Sequence, residues 1–229
     1  MLRKVIIAID GPAGSGKSTA AKNIAQKFGF TYLDTGAMYR AITFIALRKG
    51  IAADNSAVIM LAQNIDLRLQ FDNGVTRVFV DTEEVTSQIR SAEVNAKVSD
   101  ISKIPEVRAE LVKIQKKLGE QGSIVAEGRD VTTVVFPKAD LKIFMTATLE
   151  ERTNRRYKEF KEKNVEISRE EVKENLEKRD RLDSERAISP LKKADDAIEF
   201  DNTLISIPKE LELLINKVKE LLGEDKKSL

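Results

Sequence analysis

Lys4 to Ile9, KVIIAI, is a β-branched run without polar alternation, the pattern of a strand buried on both faces of a parallel sheet. Apolar positions then take helical spacing at Ala21, Ile24, Ala25 and Phe28 within Lys17 to Phe28, and Gly29 supplies the stop. Thr31 to Leu33 predicts a second short strand, Ala37 to Lys49 a helix ending at Gly50, and Ser56 to Asn64 another helix. Over the next stretch the period changes to two. Ile65, Leu67, Leu69 and Phe71 alternate with polar residues, and across an Asn73-Gly74 turn they are expected to face Val75, Arg77 and Phe79 in an antiparallel hairpin. Helical periodicity resumes over Ser91 to Ile101 and again from Pro105, at a favoured first helical position, to Leu118. Ser123 to Ala126 and Leu141 to Met145 predict two more buried strands, with EGRDVTTVVFP between them. Ala197 to Phe200 predicts the last strand, Pro208 to Leu222 an amphipathic helix, and GEDKKSL a frayed tail.

One region breaks this alternation. From Leu149 to about Arg186 the chain carries roughly a dozen charges of each sign and few large apolar residues, as expected of a solvated helical hairpin. Strands separated by helices elsewhere predict an α/β fold, a doubly wound parallel five-stranded sheet with a small antiparallel β insert and a charged helical flap, all in one domain spanning residues 1–229.

Composition narrows the function. With 39 basic and 37 acidic residues the net charge is +2, and only 5% of residues are aromatic, so neither a nucleic-acid surface nor an anionic membrane is expected as a partner. No run approaches the roughly 18 apolar residues of a membrane span, and the N-terminal apolar run ends in Asp10 without a cleavage pattern. A soluble, cytoplasmic monomer is the expectation. The chain has no cysteine, which removes thiol nucleophiles and cysteine-based zinc sites, and no histidine, which removes the commonest general base.

The sharpest motif is Gly11-Pro12-Ala13-Gly14-Ser15-Gly16-Lys17-Ser18-Thr19, which satisfies GxxxxGK[ST] between a predicted strand and a predicted helix. Its glycines let successive N–H groups converge on phosphate oxygens, Lys17 would reach the β and γ oxygens of ATP, and Ser18 would offer its hydroxyl to Mg²⁺. No Asp has Gly three residues later, and the only Asn-Lys pair, Asn216-Lys217, lies in the predicted amphipathic helix, so the GTPase switches are missing. What remains are kinases of small molecules, or a regulatory protein that binds ATP without transfer.

The acceptor is suggested by arginines beside predicted strand ends or in the flap: Arg40, Arg108, Arg129, Arg152, Arg155, Arg156, Arg179 and Arg186. Guanidinium groups suit phosphate oxygens. A phosphate monoester has a second pKa of about 6 and is largely a dianion at neutral pH, so it needs positioning and neutralisation rather than a base. A chain without histidine fits such an acceptor. A sugar or hydroxy-acid kinase using Asp34 or Asp130 as base is the alternative.

Read together, DGPAGSGKST, LDTGAMYR at 33–40, AEGRDVTTVVFP at 126–137, KIFMTATLEERTNRR at 142–156 and RDRLDSERAISPL at 179–191 resemble bacterial cytidylate kinases, in family order over nearly the whole chain. The resemblance implies transfer of the γ-phosphoryl group of ATP to CMP or dCMP with Mg²⁺. It implies a core of residues 1–64, 91–149 and 187–229, a monophosphate-binding β insert at 65–90 and a lid at 150–186. Carried over by motif, Thr35 and Arg40 belong to the monophosphate pocket, and Ser99, Arg108 and Asp130 meet the cytosine ring. Arg129 and Arg179 clamp the acceptor phosphate, Asp183 takes a ribose hydroxyl and Arg186 contacts phosphate or sugar. Arg152, Arg155 and Arg156 are candidates, with Lys17 and Arg129, to act on the transferred group. Another acceptor, UMP, dTMP or a hydroxy acid, is the runner-up. One position departs: the family commonly has Gly two residues after the GRD aspartate, where this chain has Thr132.

Overall fold

The computed structural model describes residues 4–72, 74–162 and 164–223. Five strands, β1 (Ile6–Asp10), β2 (Thr31–Asp34), β6 (Ile124–Gly128), β7 (Leu141–Thr146) and β8 (Ile198–Asp201), form one parallel sheet in the order β2-β6-β1-β7-β8. This is the predicted five-stranded sheet. Both faces are covered. Helix α1 (Lys17–Phe28) and helix α8 (Ile207–Leu222) pack through Ile24, Ala25, Leu214 and Val218 on Ile7, Ile9 and Ile143. On the other face lie α2 (Thr35–Arg48), α3 (Asn55–Asn64), α4 (Ala92–Ser102) and α5 (Pro105–Gly119), whose buried Met38, Ile42, Ile101 and Leu111 meet Ala8, Leu33 and Ile124. The chain leaves β1 toward β2 on one side and returns to β7 on the other, so the carboxyl ends of β1 and β6 flank the point where the order reverses, where open sheets bind ligands.

Helix ends follow local chemistry. α2 begins at Thr35, two residues before the expected Ala37, because the Asp34 carboxylate accepts from Ala37 N and caps it. The insert forms β3 (Leu67–Asp72), β4 (Val75–Val80) and a short β5 (Glu83–Glu84). Its expected face needs correction. Asp72 pairs with Val75, so Phe71 lies opposite Thr76 and Leu69 opposite Val78. Thr76, Val78 and Val80 are therefore the buried positions, while Val75 is 55% exposed. Gly74 turns with φ 78°, and the Asn73 half of the predicted turn lies outside the described residues. So does the GEDKKSL tail beyond Gly223.

The flap folds as α6 (Leu149–Glu162) and α7 (Arg169–Glu185), the latter opened by a reciprocal Ser168–Glu171 capping box. It is less solvated than its charge suggests. Val172 and Leu176, with Leu149, Tyr157, Phe160 and Ile167, form a small apolar seam that includes Ala13 of the glycine-rich loop.

Candidate active site

The glycine-rich loop spans β1 to α1. Gly16, at the helix N-cap with φ 92°, has no side chain to satisfy the first N–H groups of α1, which leaves them for a ligand. Lys17 is buried, its Nζ donating to Pro12 O (2.6 Å) and Ser15 Oγ (3.2 Å). Burial, reinforced by the nearby Arg129 charge, lowers its amine to about 7. Ser18 Oγ donates to Glu127 Oε1 (2.5 Å), and Tyr32 Oη donates to the same oxygen (2.9 Å). Gly11, Pro12 and Ser15 shape the loop without facing the cleft, whereas Ala13, Gly14, Gly16, Lys17, Ser18 and Thr19 line it.

The cleft, about 860 Å³, runs from this loop across the ends of β2 and β6 to α4 and α5. Gly128 opens the GRD turn, where a Cβ would collide with Thr35 Oγ1 and Val131 Cγ2; Thr35 Oγ1 donates to Glu127 O (2.8 Å) across that contact. Arg129 Nε then donates to Asp183 Oδ2 (2.8 Å) on α7. Asp130 pairs with Arg108 Nη2, both buried, and Arg108 also donates to Ser102 O (2.9 Å) and lies over the Tyr39 ring at 5.2 Å. Arg186 approaches Asp130 Oδ1 (3.9 Å) and Asp183 Oδ1 (3.8 Å). Asp183 thus makes its close contacts with Arg129 and Arg186, and reaches Arg179, its i−4 neighbour, only through its charge.

Two arginines differ from these. Arg179 Nε is buried without a hydrogen-bond partner, and burial together with the Arg129 and Arg40 charges lowers its guanidinium to about 9. Arg40, folded over Gly36, is also lowered, first by burial. Neither forms an ion pair among the described residues. Cations held against their own solvation and mutual repulsion mark a place built for an anion.

The sequence profile of the cytidylate kinase family matches residues 7–220. The chain belongs to the cytidylate kinase family. It is similar to a cytidylate kinase of Streptococcus suis, 48% identical over 223 residues that span 96% of this chain and 99% of the relative. It is 45% identical to a cytidylate kinase of Clostridioides difficile over 215 residues, 93% of this chain and 98% of the relative. An uncharacterized protein from Eubacterium ventriosum shares the fold at a TM-score of 0.50 and 11% identity, covering 97% and 99% of the two chains.

Set against the residues that the family resemblance singles out, the cleft gathers Lys17, Ser18, Thr35, Arg40, Ser99, Arg108, Arg129, Asp130, Arg179, Asp183 and Arg186, together with Arg155 and Arg156. Arg152 stands apart. Its guanidinium is turned inward, donating to Ala147 O (3.0 Å), Ala13 O (3.0 Å) and Asp180 Oδ2 (2.6 Å), which ties both flap helices to the phosphate loop. Arg155 donates to Asn202 Oδ1 (3.0 Å) and Asn202 O (2.9 Å), and Arg156 to Glu159 Oε2 (2.5 Å) while lying 4.6 Å from the Phe160 ring.

Sequence reasoning missed Glu127 and Asn202. Glu127 was findable, as the carboxylate closing an apolar strand, Ile124 to Ala126, beside the strand that carries the phosphate loop. Asn202 had no such signal. Its buried amide donates to Ser15 O (2.9 Å) and Glu210 Oε2 (2.6 Å), bracing the loop from behind.

Proposed function

We propose that the chain transfers the γ-phosphoryl group of ATP to CMP or dCMP. The carrying observation is that one cleft joins a phosphate loop with free N–H groups to three half-buried arginines, Arg40 and Arg179 without an ion pair among the described residues and Arg129 held by Asp183, with the Arg108–Asp130 pair also lining it.

Binding of the triphosphate at the N-terminus of α1 draws Lys17 from Pro12 O and Ser15 Oγ to the β and γ oxygens, where its charge is matched. The site fits Mg²⁺: the Ser18 hydroxyl is a hard oxygen donor already oriented by Glu127, whose carboxylate lines the cleft. Bound there, the ion would neutralise charge on the β and γ oxygens. Arg129 lines the same cleft as Lys17 and Arg179 and its charge bears on both, so it can stabilise charge on the group in transit. Arg156 is a flap arginine whose charge bears on Arg179, and Arg155 belongs to the donor side through Asn202. Ile205 and Ile207, which line the cleft beside Arg155, offer an apolar wall for the adenine.

The acceptor phosphate enters between Arg40, Arg129 and Arg179 as a dianion and attacks without a base. The two carboxylates that would serve a hydroxyl acceptor each already have protein partners. Asp34 caps α2 and meets Arg90, and Asp130 is held by Arg108. Asp130 Oδ1 is left to accept from the cytosine amine, while Ser99 and Arg108 serve the ring acceptors. Residues 150–186 act as the lid, hinged on the Arg152 contacts, and residues 65–90 as the monophosphate-side insert. A coupled assay with ATP and CMP, dCMP, UMP and AMP tests the reading. Fast turnover of CMP or dCMP with slow UMP is expected, and UMP turned over as well as CMP would remove the base assignment.

A further inference from the structure

Of the insert's described residues, 65–72 and 74–90, Arg90 alone lines the cleft. It closes a single 3-10 turn, Gln88–Arg90, whose backbone is fixed on both sides. Ile89 is fully buried against the core, and Ser91 caps α4 through Val94 N (3.3 Å). The side chain is held far less firmly. Its one side-chain hydrogen bond among the described residues is a long contact, Nη2 to Asp34 Oδ2 at 3.4 Å, and it is 48% exposed where the aspartate is 8% exposed. The partner is also shared, because Asp34 Oδ1 already caps α2. Arg108, Arg129 and Arg152, by contrast, each donate to two or more protein acceptors. A guanidinium on a rigid turn with most of its donors open, facing a phosphate pocket, is preorganised for an oxyanion.

We propose that Arg90 is a further cation for the acceptor phosphate, delivered by the β insert and meeting the monophosphate together with Arg40. Arg40 lines the cleft with Asp34 and Arg90, and the charges of both bear on it. Asp34 offsets part of the repulsion between the two arginines. When a dianion arrives, Arg90 turns its open donors to it and the long Asp34 contact is given up at little cost. Arg90 is then the one side chain through which the insert senses that the acceptor site is filled.

The inference rests on the monophosphate-kinase reading, and kinetics separate the two. If the wild-type chain turns over no monophosphate, that reading fails. If it turns over CMP, Arg90→Gln is expected to raise KM for CMP by about tenfold, with kcat and KM for ATP changed less than about threefold. Arg90→Lys, which keeps the charge but loses the fork, should raise it by about threefold and should fold even if Arg90→Gln does not. In thermal melts, the rise in Tm produced by excess CMP should shrink in both variants, and the rise produced by ADP should not. A KM for CMP within twofold of wild type in Arg90→Lys and in any folded Arg90→Gln would overturn the proposal. So would equal losses for CMP and ATP, or a lowered Tm without ligand together with unchanged KM, which assigns Arg90 to holding Asp34.

Discussion

The two halves of the cleft are built on different principles. The donor half is made of backbone and is tied up from behind. Asn202 holds Ser15 O, Arg152 holds Ala13 O, and Lys17 folds back onto the loop it belongs to. The acceptor half is made of side chains, several short of partners: Arg179 Nε, Arg108 Nε and Arg186 Nη2 are buried and unsatisfied. A loop that cradles any nucleoside triphosphate can be complete before its ligand arrives, since N–H groups carry no net charge. A site that must choose one monophosphate uses charged groups, whose desolvation is repaid only by the right anion.

The largest effect should come from breaking the donor half at the lysine of its phosphate loop. Lys17→Met is expected to lower kcat by about a thousandfold, in the range for loss of a group that stabilises transition-state charge. Binding of CMP, followed by calorimetry, should persist, because the acceptor cluster is untouched. Loss of both would mean that the halves are not separable.

Next comes the choice of base. In Asp130→Asn the amide can turn its oxygen to cytosine or its nitrogen to the uracil carbonyl. The preference for CMP over UMP should fall by about ten- to a hundredfold in kcat/KM, through better use of UMP as well as poorer use of CMP. An unchanged ratio would remove Asp130 from base reading.

The charge on Lys17 gives a smaller signal that is independent of turnover. Its amine is lowered to about 7, below the ordinary lysine value, so at pH 8 it is mostly neutral. A bound polyphosphate raises it, and ADP binding at pH 8 should take up close to one proton, by roughly the linkage between the two states. Calorimetry in buffers of different ionisation heat measures the uptake, which should vanish in Lys17→Met. The same shift means that this group's penalty on folding is full below about 7 and relieved as pH rises toward the unfolded value of 10.5.

How much of this was legible in the sequence follows from the same contrast. The phosphate loop and the GRD turn could be read because each is a local backbone device, with glycines at Gly16 and Gly128 where a helix N-cap and a close approach to Thr35 demand them. The strands could be read because a sheet buried on both faces leaves continuous apolar runs. The hairpin face was misread although the turn position was legible: with two residues between them Asp72 pairs with Val75, which sets Phe71 against Thr76 and leaves Val75, Arg77 and Phe79 on the other surface. The inward course of Arg152 could not be read at all. On α6 it has the same local setting as Arg155 and Arg156, and only the tertiary approach of Ala13 and Asp180 gives it buried acceptors.

The smallest effect concerns Thr132, where the family commonly has glycine. A wide π-type turn at Val131–Val135 presents Val131 N (2.9 Å) and Thr132 N (2.7 Å) to the buried Asp10 carboxylate, and Thr132 Oγ1 adds a bond of 2.6 Å to it. Burial pushes that carboxyl up, and the Thr132 bonds pull it back. A side chain is thus tolerated because the turn needs no positive φ here, and the hydroxyl offsets part of the cost of burying Asp10 just before the phosphate loop. Thr132→Gly removes that bond and adds backbone freedom to the unfolded chain. It should cost about 2 kcal/mol of stability in urea denaturation. Because both backbone donors remain, kcat should stay within about threefold of wild type. Unchanged stability would show that the two N–H groups alone satisfy Asp10, and that the threonine is only accommodated.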